Sequence, residues 1–167
     1  MNTIDLVRLY ERGSSAQKLW ALVLLLAVRD GATRVWYDPA QGERRLGYEI
    51  DGVEAAMVPP PEHLQAKLLQ AVGKLIRYRS VWRFISWLFG GSAHRSAPLE
   101  GTFVAKVGGY GIPVTATFDM VLSRVVLRLS PETSAAPDAQ NAIEFVFRNT
   151  PEADLRELPE LPEEELQ

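Results

Sequence analysis

The pair Asp51-Gly52 constrains this chain more than any other feature of its sequence. Both central positions of a type I′ turn need positive φ, and Asp-Gly supplies it at little cost. The pair therefore joins the runs 45–50 and 53–58 into an antiparallel hairpin. Residues 33–37 read as a strand before it, with Asp38-Pro39-Ala40-Gln41-Gly42 as the turn between. Pro59, Pro60 and Pro61 end the third strand, because proline cannot donate to a ladder. They also open a helix, whose first turn does not need the missing N–H. Leu64, Leu68, Leu69, Val72, Leu75 and Ile76 recur at helical spacing and predict its core face.

Before the hairpin, Asn2 or Thr3 can cap a short helix running through Tyr10, which Gly13 ends. Ser14 or Ser15 caps a second helix. There Leu19, Trp20, Val23, Leu24, Ala27 and Val28 form a stripe that Leu22, Leu25 and Leu26 widen almost all round, so the helix should be buried. Asp30-Gly31 stops it. After the proline-led helix, residues 81–89 read as another helix, broken by Gly90-Gly91-Ser92. Strands are expected over 102–107, 114–118 and 125–129, the first two joined at Gly108-Gly109-Tyr110-Gly111. The order α-α-β-β-β-α-α-β-β-β predicts an α+β fold: a mainly antiparallel sheet packed on helices in two layers. Residues 130–138 form a linker, and the alternation in 143–147 suggests one more strand. Residues 1–149 make one domain and 150–167 an acidic, Pro- and Glu-rich tail expected to be disordered.

Composition narrows the chemistry. Of 167 residues, 47% are hydrophobic, enough to fill a core. The absence of cysteine removes disulfides, thiolate nucleophiles and zinc–thiolate sites, and fits a reducing compartment. The net charge of −3 is uneven. Seven acids against Arg156 give the tail −6, which leaves +3 for residues 1–149. The first residues lack the basic start of a signal peptide. The longest apolar run, 19–28, is far shorter than the roughly 20 residues a bilayer requires. A cytoplasmic protein is expected, with contact at a membrane surface left open.

Four blocks then stand in a recognisable order: Asp30 to Pro39, Tyr48-Glu49-Ile50-Asp51-Gly52, the proline-led helix, and Arg124-Val125-Val126-Leu127-Arg128-Leu129. Together they resemble the PAS-like domain that precedes the motor core in the type II secretion and type IV pilus assembly ATPases. The resemblance covers about residues 19–129. Asp38-Pro39 stands where that family has Glu-Pro at the opening of its sheet, while Trp36 replaces its His and Arg34 its Asp. Glu49 to Gly52 matches its Arg-Val-Asp-Gly hairpin, and Gly111 to Val114 its Gly-x-x-Val strand. The resemblance implies a PAS-like sheet and contact with hexameric motor ATPases or their docking proteins.

The departures carry the functional expectation. The family's nucleotide sits in a RecA-like core built around Gly-x-x-x-x-Gly-Lys-Ser/Thr, and no such segment occurs here. Gly108-Gly109-Tyr110-Gly111 has no following lysine and joins two strands, so it reads as a turn. The family's front domain also lends arginines to a neighbouring motor. The matching stretch here, Ser96 to Thr102, ends in threonine, and only Arg95 lies nearby. Bidentate grip on a phosphate needs a guanidinium. A binding module without catalysis and without a cofactor is therefore expected.

Other sites read as weak. His63 and His94 have no partner at metal-ligand spacing, and no Gly-x-Ser-x-Gly elbow supports a serine nucleophile. The tail leucines Leu155, Leu158, Leu161 and Leu166 interleave with acids. That fits a solvated tail first, and second a short segment that folds on a basic partner. Residues 77–89 are the unusual segment, and Arg77, Arg79, Trp82, Arg83, Trp87 and Phe89 are the candidate partner-binding residues. Tryptophan and arginine dominate binding hot spots, and a basic aromatic helix also suits a membrane interface. Plain packing over a sheet edge comes first among the three readings, a protein partner second and a membrane surface third. Nucleic acid is not expected, because the body charge is too small for a phosphate footprint. The alternative function is a small-ligand sensor, with Trp36, Tyr37, Tyr48 and Phe103 lining a pocket in the sheet. Deletion of the residues after Asn149 should leave the melting temperature nearly unchanged in a thermal scan; a large drop would place the tail in the packed structure.

Overall fold

The fold comes from a computed structural model that describes residues 2–75, 98–119 and 122–130, together with Asn141, Glu144 and Arg148. Its centre is the helix the sequence marks as almost wholly apolar, Ser15–Arg29, here α2. Ser14 caps it with a reciprocal box: its hydroxyl accepts from the Gln17 N–H, and the Gln17 side chain accepts from the Ser14 N–H. Nine of its residues are buried. A helix so apolar needs partners on several sides, and it finds a sheet below and a helix on either flank.

The flanking helices are α1 (Leu6–Arg12) and α3 (Gln65–Leu75). Asp5 caps α1 by accepting from the Arg8 N–H at 3.1 Å. A single 3₁₀ turn, Glu62–Leu64, leads from the prolines into α3. The expected core stripe of α3 is buried at Leu64, Leu68, Leu69, Val72 and Leu75, while Ile76 falls outside the described residues.

The sheet has seven strands among the described residues: β1 (Asn2–Asp5), β2 (Arg34–Tyr37), β3 (Leu46–Ile50), β4 (Val53–Ala56), β5 (Leu99–Val107), β6 (Tyr110–Asp119) and β7 (Arg124–Leu129). Their spatial order is β1-β5-β6-β7-β2-β3-β4. The fold is α+β, as the element pattern predicts. The sheet is mixed: β1 runs parallel to β5, and every other pairing is antiparallel. The Asp51-Gly52 turn is formed as expected, with φ of 49° and 80°. It pairs Ile50 with Val53 and so fixes the register of the hairpin.

Two expectations need correction. Residues 2–5 are strand, not the start of a helix, and the cap is Asp5 rather than Asn2 or Thr3. The reason is a non-local partner. Ile4 drops into the core opposite Ala105, and the Asn2 side-chain amide donates to the Leu75 carbonyl at the end of α3. Around 143–147, where a strand was expected, Glu144 is helical, as are Asn141 and Arg148. Arg148 meets Glu144 at 3.3 Å, one helical turn apart. The rest of that segment, the expected helix over 81–89 and the acidic tail lie outside the described residues.

Alternation along the strands sorts the sheet into two faces. One face sends Val35, Tyr37, Phe103, Ile112, Val114, Phe118, Val125 and Leu127 into the core beneath the helices. Trp20 joins the layers. Its ring meets Tyr37 edge-to-face at 6.4 Å, and its indole N–H donates to the Leu68 carbonyl at 2.9 Å. The other face carries Trp36, whose indole crosses β3 where Gly47 leaves room. A Cβ at Gly47 would meet the Ala55 carbonyl oxygen and Trp36 Cζ2, each at 2.6 Å. Gly47→Ala should therefore cost about 1–3 kcal/mol by overpacking, read as a lowered denaturation midpoint. An unchanged midpoint would mean that the indole does not rest on β3.

Candidate functional site

The face of the sheet opposite the described helices is where chemistry-bearing side chains collect, and the strand register dictates which of them meet. One row crosses six strands: Glu54, Glu49, Arg34, Arg128, Thr115 and Thr102. The tight hairpin places Glu54 directly opposite Glu49, two like charges that repel. Arg34, next in the row, resolves the conflict. One of its terminal nitrogens donates to Glu49 at 2.6 Å and to Glu54 at 3.0 Å. Arg34 also lies over the Trp36 ring, with its guanidinium carbon 5.5 Å from the centroid.

The adjacent row holds Ala56, Gly47, Trp36, Val126, Thr117 and Glu100. Trp36 is only 9% exposed although it lies on the outer face. At its far end the Pro39–Arg44 turn starts from Asp38, a buried carboxylate that accepts from the Ala40 N–H at 3.0 Å. Arg124 approaches the other Asp38 oxygen at 4.0 Å, too far for a hydrogen bond. Arg34, Trp36, Asp38, Gln41, Glu54, Ala56 and Arg124 together line a groove of about 170 Å³. The Nε atoms of Arg34 and Arg124 are buried and take no hydrogen bond among the described residues. The groove is thus a mixed-charge recess lined by an indole and two arginines. It can receive one side chain of a partner, polar or planar. It is smaller than the roughly 300–1,000 Å³ typical of ligand pockets.

A second polar cluster anchors the hairpin to α2. The Tyr48 hydroxyl donates to Asp30 at 2.6 Å, and Arg29 donates to the same carboxylate at 2.7 Å. Burial, with help from the bond to Asp30, pushes the Tyr48 hydroxyl up to about 12. Burial alone would raise the Asp30 carboxyl, but the hydrogen bonds from Arg29 and Tyr48 outweigh it and hold the group below the ordinary carboxylate value.

The six residues singled out from the sequence, Arg77, Arg79, Trp82, Arg83, Trp87 and Phe89, lie outside the described residues. So does His94, while His63 is exposed in the 3₁₀ turn before α3. No group of three or more metal-capable side chains occurs among the described residues. The glycine cluster forms the β5–β6 turn, with Val107 paired to Tyr110. The four aromatics proposed to line a ligand pocket are not brought together. Trp36 faces outward, whereas Tyr37 and Phe103 are buried in the core and Tyr48 packs at its margin. The Arg34–Glu49–Glu54 cluster was missed, although the register imposed by Asp51-Gly52 already sets the two glutamates opposite each other. Among the described residues, no helix is long and apolar enough to cross a membrane. No family model matches the chain, and no curated protein matches it in sequence.

The raised Tyr48 value has a definite sign. A phenol that is harder to ionise when folded contributes stability below its ordinary value near 10, and that stability is lost as pH climbs toward 12. Denaturation midpoints should therefore fall between pH 10 and 12, and less steeply in Tyr48→Phe than in the parent. Burial also raises Tyr37, so some slope should remain in the variant. Equal slopes would remove Tyr48 from the linkage.

Proposed function

We propose that this protein is a non-catalytic interaction or regulatory module related to the secretion and pilus motor ATPases. It would act in the cytoplasm as a scaffold or adaptor that touches a motor or its docking protein. The single observation that carries this reading is the outer face of the sheet. It presents the ion-paired Arg34, Glu49 and Glu54 beside a recess sized for one partner side chain, and no described helix covers it. Such a surface, with a buried aromatic, flanking arginines and satisfied acids around them, suits recognition of another protein. The order of sequence blocks supplies the link to the motors, and the missing phosphate loop argues against turnover by this chain itself.

The small-ligand sensor has less support. The recess is small, and the aromatics needed for a pocket are split between the two faces.

The test is a binding titration of the purified chain against the purified motor ATPase and docking protein of its host. One of them should bind, and Arg124→Ala in the recess, like Trp82→Ala with Trp87→Ala, should weaken that binding at least about tenfold. Absence of binding to either protein, or ATP hydrolysis by the chain alone, would overturn the proposal. If the double variant unfolds, those rings belong to packing, and Arg124→Ala becomes the informative variant.

A further inference from the structure

The β4 edge of the sheet carries an inference that goes beyond the interaction reading and does not depend on it. Among the described residues β4 is the terminal strand and pairs only with β3. The Met57 N–H donates to the Leu46 carbonyl at 2.9 Å, so Met57 faces β3. Backbone groups alternate in direction along a strand. Val53 and Ala55 therefore also face β3, and the N–H and C=O groups of Glu54 and Ala56 point away from the sheet. Among the described residues nothing pairs with them. The edge also lacks the usual protections. It has no lysine, no proline before Pro59 and no bulge, and its one charge, Glu54, is tied up by Arg34. Val53 and Val58 are 70% and 83% exposed, two of the three large hydrophobic side chains left in solvent among the described residues.

We propose that β4 pairs with β4 of a second copy of this chain, antiparallel about a two-fold axis through Ala55. The side chains select both this occupant and this register. With Ala55 opposite Ala55, Glu54 of one copy exchanges backbone hydrogen bonds with Ala56 of the other, four bonds in all across the axis. Val53 then lies opposite the second copy's Met57, an apolar cross-strand pair that covers an exposed valine. Two alanines at the axis let the helix layers approach. Moving the register by one step, so that Glu54 faces Glu54, sets like charges directly opposite and is disfavoured. The result is one continuous sheet through both copies, with the two grooves at Ala56 and Glu54 flanking the axis. The contact is short, so the dimer should form in a concentration-dependent way.

The experiment is sedimentation velocity on the full chain from low micromolar to near-millimolar concentration, with three variants. The parent should shift from monomer to dimer. Ala56→Pro removes an N–H that points away from β3, so it should leave the hairpin intact and raise the dimer dissociation constant at least about tenfold. Val53→Lys, at an exposed position, should weaken the dimer without touching the core and covers the case in which the proline variant fails to fold. Because the chain has no cysteine, Ala55→Cys gives a single thiol at the axis. A non-hydrogen-bonded antiparallel pair has Cα atoms about 4.5 Å apart, within disulfide reach. This variant should cross-link on mild oxidation, whereas Val53→Cys, about 14 Å from its copy, should not. A monomer at every concentration overturns the proposal. So does a dimer indifferent to both Ala56→Pro and Val53→Lys, or one that cross-links through Val53→Cys instead.

Discussion

Trp20 is the side chain on which the arrangement of layers depends. It sits on α2, meets Tyr37 of β2 edge-to-face, and donates to a carbonyl of α3. One residue thus ties the central helix, a flanking helix and strand β2 of the sheet together. A buried indole N–H without an acceptor is costly. Its bond to Leu68 therefore helps to set how α3 lies against α2. With that face of the sheet committed to the helices, the polar rows on the opposite face are left for other work.

The outer face follows from the hairpin. A two-residue turn fixes register, and register forces Glu49 and Glu54 together. Arg34 is then both a structural requirement and a surface feature. It neutralises the pair, lies on Trp36 and stiffens the recess that Arg124 and Asp38 complete. Gly47 permits the whole arrangement by leaving space for the indole. The surface is therefore pre-formed, which would lower the ordering cost of the recognition proposed for it.

Much of this was legible in the sequence. The Ser14 cap, the apolar girth of α2, the Asp51-Gly52 turn and the stripe of α3 are local signals, and each appears where its chemistry places it. β1 was not legible. It is four residues long, its pairing partner lies about a hundred residues away, and Asp5 caps a helix as well as Asn2 or Thr3 does. The full lengths of β5 and β6 were hidden as well, because Pro113 and the glycines interrupt the alternation while the register runs straight through them. The division of Trp36 from Tyr37 was available from strand periodicity alone, since neighbours in a strand face opposite ways. Grouping them in one pocket overlooked it. The exposed β4 edge was not foreseen, since edge position depends on the order of all seven strands.

The most direct test of a one-sided sheet with an unprotected β4 edge is residue-resolved amide exchange by NMR on the full chain at low concentration. The amides of Ala55 and Met57, bonded to β3, should exchange slowly, and those of Glu54 and Ala56 should exchange fast. Equal protection of all four would contradict that picture, because it would mean that another part of the same chain already covers the edge.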